Sequence, residues 1–274
     1  MVQNNIFDLT GKVALITGAG GILGPKHGEA IIEFGGNVVL TDYNLEKVQK
    51  KADALNEKYG GQVARAFYMD VTKKETISAV ADQLERVDIL INNAAKDPKV
   101  EDSKGMTPSS RFETMTEEFW HAGISATLHG TFLCSQVFSN KMLENGGGVI
   151  INIASCLANI APDQRVYRQE GVEEHMQNVK PITYVTSKWA VVGITKYLAT
   201  YFAERNIRVN SFSPTGVWNE RIPEHMVGRI SSLIPMNRMA NIDEYKGAIA
   251  FLASDASSYM TGANLIIDGG KTVW

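Results

Sequence analysis

Short apolar runs and longer amphipathic stretches alternate along the whole chain. Seven runs are rich in β-branched and aliphatic residues, and most are continuously apolar: 13–17, 37–41, 63–69, 87–91, 148–153, 207–212 and 264–268. Strands buried on both faces have this composition. Six stretches with helical spacing separate them: 24–34, 45–59, 73–84, 117–142, 182–204 and 243–253. The pattern predicts an α/β fold, a doubly wound parallel β-sheet of about seven strands flanked by helices on both faces.

Two segments interrupt this regular order, 94–116 and 156–181. Each follows a strand at the edge of the sheet where the carboxyl ends of parallel strands meet and where ligands bind. Loops of this length are lids or binding loops, or else plain surface excursions, and at this point both interpretations stay open. We find no linker, low-complexity tract or internal repeat, so we expect a single domain over 1–274.

Composition and charge argue against several kinds of partner. The chain is 44% hydrophobic and 21% charged, with a formal net charge of -3, whereas nucleic-acid binding calls for a strongly basic surface. No apolar run approaches the roughly 20 residues of a membrane span, and the N-terminus lacks the layout of a secretory signal. Two cysteines, Cys134 and Cys156, fit a reducing compartment. We therefore expect a cytoplasmic protein that binds neither nucleic acid nor membrane.

The stretch TGAGGILG joins the first predicted strand to the first predicted helix. Its spacing fits Thr17-Gly18-x-x-Gly21-x-x-Gly24, in which the first glycine allows a tight turn, the second a close approach of phosphate, and the third helix packing. Backbone N–H groups and the helix dipole then favour a pyrophosphate. Because glycine turns are common, the motif is weak by itself.

Asp42 strengthens the interpretation of the glycine loop. It ends the second predicted strand 18 residues after Gly24 (42 − 24). A carboxylate there accepts hydrogen bonds from the adenosine ribose and repels a 2′-phosphate. Tyr43 and Asn44 follow it, not arginine or lysine. The sequence therefore predicts NAD rather than NADP, although Asp42 alone is also compatible with a turn or helix-capping role.

The stretch YVTSK places Tyr184 and Lys188 four residues apart in a predicted helix, and hence on one face. A neighbouring ammonium favours the phenolate form of tyrosine, which then serves as general base for alcohol oxidation, or as acid in reverse. Ser155 ends the fifth predicted strand, where its hydroxyl can hold a substrate oxygen. Alone, the helical pair is typical of a surface helix and the serine of a turn; together they indicate an active site.

These motifs follow the order of a known family. The chain resembles the short-chain dehydrogenases/reductases over nearly its whole length, in the stretches TGAGGILG, Asp42, DV (70–71), NNAA (92–95), NIAS (152–155), YVTSK, SPTGV (213–217) and YMTGANLIIDGG (259–270). The resemblance implies a Rossmann-type fold, a nicotinamide cofactor and hydride transfer between an alcohol and a ketone. It also implies a homo-oligomer, a dimer or tetramer, with the helices of 117–142 and 182–204 at one interface.

The resemblance assigns roles to individual residues as well. Ser155 would orient the substrate, Tyr184 would carry the proton, and Lys188 would be its electrostatic partner. We expect no metal ion. The implied cofactor contacts are Thr17, Gly18, Gly21, Ile22, Leu23 and Gly24 at the pyrophosphate, Asp42 at the adenosine ribose, Asp70 and Val71 at the adenine, Asn92, Ala94, Tyr184 and Lys188 near the nicotinamide ribose, and Pro214, Gly216 and Val217 at the nicotinamide end.

Three features depart from the usual family pattern. The glycine spacing resembles that of longer members, many of which act on nucleotide sugars, while the chain length resembles compact ones. Thr127 stands where the family has an asparagine that holds a proton-relay water, so proton supply differs or turnover is slow. Ser155 and Tyr184 are 29 residues apart (184 − 155), and we interpret the extra residues as a substrate lid.

We predict an NAD-dependent enzyme that interconverts a secondary alcohol and a ketone. The segment APDQRVY and the helix that follows resemble members of bacterial surface-sugar pathways, which favours a sugar, sugar phosphate or polyol. A 3-oxoacyl compound or another hydrophobic ketone is the alternative substrate. A cofactor-binding protein that has lost useful catalysis is the alternative from another class, and Thr127 is its only support.

Overall fold

The computed structural model describes residues 5–96, 110–220 and 222–274. Seven strands in these residues form one parallel sheet in the order β3-β2-β1-β4-β5-β6-β7. Strand order reverses between β1 and β4, and in such sheets the crevice at this point holds the ligand. The strands are β1 (Val13–Thr17), β2 (Asn37–Asp42), β3 (Ala64–Tyr68), β4 (Ile89–Asn92), β5 (Gly148–Ile153), β6 (Ile207–Pro214) and β7 (Asn264–Ile267).

Two hydrophobic cores lie on opposite faces of this sheet. Ala14 and Ile16 of β1 belong to one core, and Leu15 between them belongs to the other. A strand with a core on each face has no position for a solvated side chain, which explains why its sequence is apolar throughout. The predicted doubly wound α/β fold is confirmed.

Eight α-helices of the described residues flank the sheet. Helix α7 was not predicted from the sequence, and none of its described side chains is buried. The predicted helix 243–253 begins later, after a 3₁₀ turn over Ile242–Tyr245. The helices are α1 (Gly24–Ile32), α2 (Leu45–Tyr59), α3 (Lys74–Ala81), α4 (Glu117–Ile124), α5 (Gly130–Glu144), α6 (Ile182–Phe202), α7 (Glu224–Ser232) and α8 (Lys246–Ala253).

The stretch 117–142, for which the spacing predicts helix, is helical in the structure but is not one uniform α-helix. A π-helical turn, Ser125–His129, separates α4 from α5. The hydroxyls of Ser125 and Thr131 each donate at 2.7 Å to a backbone carbonyl four residues earlier. Such side-chain bonds compete with the regular helical ladder. Insertions of this kind concentrate at functional sites, and this one contains Thr127.

The segment 156–181 is an ordered layer of three 3₁₀ turns, Cys156–Ala158, Gln164–Tyr167 and Glu174–Met176. The buried amide of Gln177 holds it together, since it accepts from the N–H of Gln169 at 2.8 Å and donates to two carbonyls of the segment. Helix α7 packs against the second turn. Most of the other expected lid, 94–116, lies outside the described residues.

No helix within the described ranges is long and apolar enough to cross a membrane.

Candidate active site

The glycine loop between β1 and α1 has no room for side chains at two of its predicted glycines. Gly18 has a φ of +61°, and a Cβ there would lie 2.7 Å from Cα of Ala94. A Cβ on Gly24 would lie 2.5 Å from Cα of Ala19. Both distances are shorter than a real Cβ contact, so these two positions require glycine. Their lack of a side chain lets the loop pack closely against β4 and α1.

Gly20 is a further required glycine, which the predicted spacing left out. A Cβ there would meet the carboxylate of Asp42 at 2.9 Å. Because Gly20 has no Cβ, its N–H donates to Oδ2 of Asp42 at 3.0 Å, while Oδ1 accepts from the N–H of Asn44. The carboxylate of Asp42, at the end of β2, is thus fixed against the glycine loop. A dinucleotide site combines a loop without side chains and a carboxylate in this way.

Helix α1 begins at the end of this loop without a side-chain cap. Its N-cap residue is Leu23, and Pro25 occupies its first turn. The first N–H groups of a helix lack intrahelical partners and favour an anion. Ile22, just before the N-cap, lines a cavity of about 840 Å³ together with Trp218, which follows β6. The loop therefore fits a pyrophosphate, and the individual contacts expected there stay predictions.

Asn93 connects the glycine loop to the end of β4. The NNAA motif did not indicate that Asn93, rather than one of its neighbours, has this role. Its side-chain amide donates to the carbonyls of Thr17 and Gly18 at 2.9 and 3.1 Å. In return, the hydroxyl of Thr17 accepts from the N–H groups of Asn93 and Ala94. Thr17 is buried, and its hydrogen bonds fix the position of the glycine loop.

His27 lies under the same loop and was also missed. It is 1% exposed, one turn into α1, and its ring hydrogen-bonds to Asn93. Burial lowers the pKa of His27 to about 4, against the opposing effect of the Asn93 hydrogen bond. The imidazole is therefore neutral at pH 7.

Asn92 occupies the interior of the sheet. Its amide nitrogen donates to Ser135 of α5 and to Asn152 of β5 at 3.0 and 2.8 Å. The amide of Asn152 in turn donates to Thr195 of α6 at 2.9 Å. This buried row of hydrogen bonds connects α5 and α6 to β4 and β5. The expected contact of Asn92 with the nicotinamide ribose stays a prediction.

Two further predicted cofactor residues follow β3. The carboxylate of Asp70 accepts from the N–H and hydroxyl of Thr72 at 3.0 and 2.7 Å. Partial burial acts to raise the pKa of Asp70, but the bonds from Thr72 and the charge of Lys73 outweigh it and lower that pKa. Val71 packs against Gly130, where a Cβ would come within 2.8 Å of it.

Lys188 connects helix α6 to the end of β5. Its ammonium donates to the carbonyl of Ile153 at 2.7 Å, and only 3% of the residue is exposed. The same nitrogen lies 5.7 Å from the ring centroid of Tyr184, which is half-buried in the first turn of α6. A buried ammonium needs such partners, and here they direct it to the carboxyl edge of the sheet.

Ser155 lies at the same edge, two residues after Ile153. Its oxygen accepts from the N–H of Leu157 at 3.2 Å, which leaves its proton able to donate. Its carbonyl accepts from the amide of Asn159, and Asn159 accepts from Asn264 of β7. Sequence reasoning missed both asparagines, because neither lies in a motif with Ser155.

The loop after β6 is fixed by contacts with residues far along the chain. The hydroxyl of the buried Tyr245 donates to the carbonyl of Thr215 at 3.0 Å. Val217 forms a parallel bridge with Ala240. A Cβ on Gly216 would lie 3.1 Å from the methyl of Met239. The residues predicted at the nicotinamide end, from Pro214 to Val217, are thereby held beside the end of β5.

Thr127 is buried in the π-helical turn. Its hydroxyl oxygen accepts from the N–H of Lys96 at 3.2 Å, and its carbonyl accepts from Thr131. It therefore holds the chain that continues from β4. Whether it also holds a relay water stays a prediction. Among the described residues, no group of three His, Cys, Asp or Glu side chains is placed to bind a metal ion.

Relatives of known activity align with nearly the whole chain. The D-threitol dehydrogenase of Mycolicibacterium smegmatis is 36% identical over 277 residues, which covers 97% of this chain and 95% of that one. The NAD-dependent glycerol dehydrogenase of Listeria innocua is 34% identical over 275 residues, covering 97% and 96%.

A solved structure and a family model agree with these relatives. The gluconate 5-dehydrogenase of Burkholderia cenocepacia, in complex with NADP and tartrate, superposes with a TM-score of 0.83 at 28% identity and covers 98% of both chains. The family model described as enoyl-(acyl carrier protein) reductase matches residues 20–272. With its bare glycine loop, its Ser155, Tyr184 and Lys188 at one sheet edge, and these relatives, the chain belongs to the short-chain dehydrogenase/reductase family of nicotinamide-dependent enzymes.

Proposed function

We propose that this protein is an NAD-dependent dehydrogenase that interconverts a secondary alcohol of a small polyol or sugar and the corresponding ketone. The observation that carries the proposal is the bond from Lys188 to the carbonyl of Ile153. Lys188 lies one helical turn from Tyr184, and the carbonyl that it contacts lies two residues before Ser155. The bond therefore brings an ammonium to the edge of the sheet where a ligand binds.

Each of the three side chains has a step in alcohol oxidation. The hydroxyl of Ser155 donates to the substrate oxygen and orients it. Tyr184, as phenolate, takes the proton from the substrate hydroxyl, and Lys188 favours that ionised form. A nicotinamide, when bound, accepts the hydride from the carbinol carbon. In the reverse direction Tyr184 returns the proton to the carbonyl oxygen of the ketone.

The choice of NAD over NADP rests on Asp42. Its carboxylate is already fixed by the N–H groups of Gly20 and Asn44, so it cannot turn away from a 2′-phosphate. The neighbouring side chain, Tyr43, is exposed and uncharged. The glycerol dehydrogenase relative is NAD-dependent, which supports this choice, whereas the gluconate dehydrogenase structure contains NADP.

The substrate class rests on the lid and the relatives. The segment 156–181 carries Asp163 paired with Arg165 and Arg168 paired with Glu174, so it is mixed in charge rather than apolar. A mixed lid favours a polyhydroxy compound over a 3-oxoacyl chain, which is the second candidate. A relative named 3-oxoacyl-[acyl-carrier-protein] reductase from Thermotoga maritima, 32% identical over 97% of this chain, supports that second candidate. Relatives named for threitol, glycerol and gluconate support the first.

A homo-oligomer, dimer or tetramer, is part of the proposal. A cavity of about 820 Å³ opens between α5 and α6. Phe132, Tyr197 and Tyr201 line it and are roughly half exposed or more. An exposed aromatic surface of this kind is typical of a protein interface. We also propose a cytoplasmic location, for which the two free cysteines are the support.

The proposal is tested with purified protein, NAD, and a panel of polyols, sugars and sugar phosphates. Tyr184→Phe removes the proton carrier and is expected to lower kcat/KM by about 10²- to 10⁴-fold while NADH still binds. Tyr259→Phe makes the same change at a fully exposed tyrosine and is expected to retain activity. NADH binding without turnover of any panel compound would instead favour a cofactor-binding protein.

A further inference from the structure

The segment before helix α6 places a second ammonium group on the face of the tyrosine. Nζ of Lys180 lies 3.8 Å from the ring centroid of Tyr184. Nζ of Lys188 lies 5.7 Å from the same centroid. Both distances are within the roughly 6 Å over which an aromatic ring attracts a cation. The tyrosine therefore has two lysines beside it, of which the family motif contains only one.

The position of Lys180 is set by the lid. The N–H of Lys180 donates to the side-chain oxygen of Gln164 at 2.8 Å, and the amide nitrogen of Gln164 donates to the carbonyl of Lys180 at 3.3 Å. Gln164 begins the second 3₁₀ turn, against which α7 packs. The residues that lengthen the spacing between Ser155 and Tyr184 thus also hold the backbone of Lys180.

We propose that Lys180 is a positioning residue that, together with Lys188, keeps Tyr184 in the ionised form that takes the substrate proton. The inference rests on the proposed dehydrogenase function. A cation within about 4–6 Å of a titrating group favours its charged form. Lys188 is fixed to β5 and Lys180 to the lid, so the structure of the lid controls one of the two charges beside the phenol.

Among the described residues, the π-helical turn that packs against α6 carries His129, which is exposed. Helix α4, which packs against α6, carries Glu117, Glu118 and His121, and all three are exposed to solvent. Water and salt screen exposed charges. The end of β5 supplies the hydroxyl of Ser155 and the thiol of Cys156. The two lysines are therefore the cations whose removal tests the proposal.

The test compares the pH dependence of kcat/KM for alcohol oxidation in three variants. Lys180→Met removes the charge and keeps the length, and we expect the pH of half-maximal rate to rise by about one unit. Lys180→Arg keeps the cation, and Lys196→Met makes the same change at an exposed position of α6. Both should keep the wild-type profile. A profile of Lys180→Met that coincides with that of Lys196→Met overturns the proposal.

A second readout does not depend on turnover. The ultraviolet absorbance of tyrosinate is titrated in the wild type and in Lys180→Met, each against the same protein carrying Tyr184→Phe, so that the difference reports Tyr184 alone. The proposal requires the same upward displacement there, and its absence contradicts it. If the displacement occurs but no alcohol is oxidised, the proposed function fails and the positioning role stands. Should the Met variant not fold, Lys180→Gln serves in its place.

Discussion

The carboxylate of Asp42 accepts a hydrogen bond from the N–H of Gly20 at 3.0 Å. The bond joins the residue proposed to select the cofactor to the loop proposed to hold its phosphates. A side chain at position 20 would displace the carboxylate, since its Cβ would lie 2.9 Å from Oδ2. The two positions therefore constrain each other, although neither motif of the sequence contains both.

Asp42→Asn should change cofactor preference more than stability. The amide oxygen still accepts a backbone N–H, but the negative charge that repels a 2′-phosphate is gone. We expect the ratio of kcat/KM with NAD to kcat/KM with NADP to fall at least about tenfold, since one charged hydrogen bond is worth about 1.5–3 kcal/mol. Steady-state kinetics with both cofactors measure it. Asp53→Asn, the same change at an exposed carboxylate of α2, is the control. An unchanged ratio would show that Asp42 does not contact the ribose.

Asn93→Ala should weaken cofactor binding while the sheet stays intact. The variant loses the two bonds to the carbonyls of Thr17 and Gly18, each worth about 0.5–1.5 kcal/mol. We expect the Kd for NADH to rise about tenfold, with little change of kcat at saturating cofactor. Fluorescence titration with NADH measures the Kd, and Asn145→Ala, at the exposed end of α5, is the control. Equal affinity of both variants would rule out the bracing role.

Gly123→Ala should displace Tyr184, the proposed proton carrier. A Cβ on Gly123 of α4 would lie 2.6 Å from Oγ1 of Thr183, the residue before Tyr184. We expect a loss of about 1–3 kcal/mol in the free energy of unfolding and a lower kcat. Urea unfolding and steady-state kinetics measure the two effects.

A second substitution, at Thr183, should partly relieve the effects of Gly123→Ala. Thr183→Ala removes Oγ1 and Cγ2, two of the three Thr183 atoms that a Cβ on Gly123 would meet, and keeps the third, Cβ. The double variant should therefore recover part of both losses. Gly247→Ala is the control, because a Cβ there meets nothing within 4 Å. Additive losses in the double variant would mean that the two helices do not contact each other at this point.

His27 should make the protein less stable in acid. Its pKa lies at about 4 in the folded protein and at 6.5 in the reference state, so between these values the unfolded chain binds more protons than the folded one. Stability is therefore lost as the pH falls from 6.5 towards 4, by up to about 3 kcal/mol. In His27→Gln this part of the pH dependence should disappear, whatever the stability at pH 7.

Urea unfolding between pH 7 and pH 4 tests the role of His27. His121→Gln changes an exposed histidine and should keep the wild-type pH dependence. The same slope of unfolding free energy against pH in His27→Gln and wild type would mean that the buried imidazole is not the group responsible.

The sequence by itself determined the fold and indicated the main residues of the candidate site. Continuously apolar strands such as β1 are compatible only with burial on both faces, and short strands alternating with helices leave one sheet architecture. Ser155, Tyr184 and Lys188 were predicted because they lie in local motifs: a strand end, and one turn of a helix. Local patterns of this kind depend on neighbours a few residues apart, which a single sequence displays directly.

Only the tertiary structure decided what lies around these residues. The π-helical turn at Thr127, the brace from Asn93 to Gly18, the burial of His27 and the position of Lys180 over Tyr184 all depend on how separate segments meet. Gln164 and Lys180 form hydrogen bonds with each other because the lid folds back on itself. The two residue types alone do not predict this pairing. Contacts between distant segments follow from the packing of whole elements, so their effect on charge and geometry at the site becomes visible only in three dimensions.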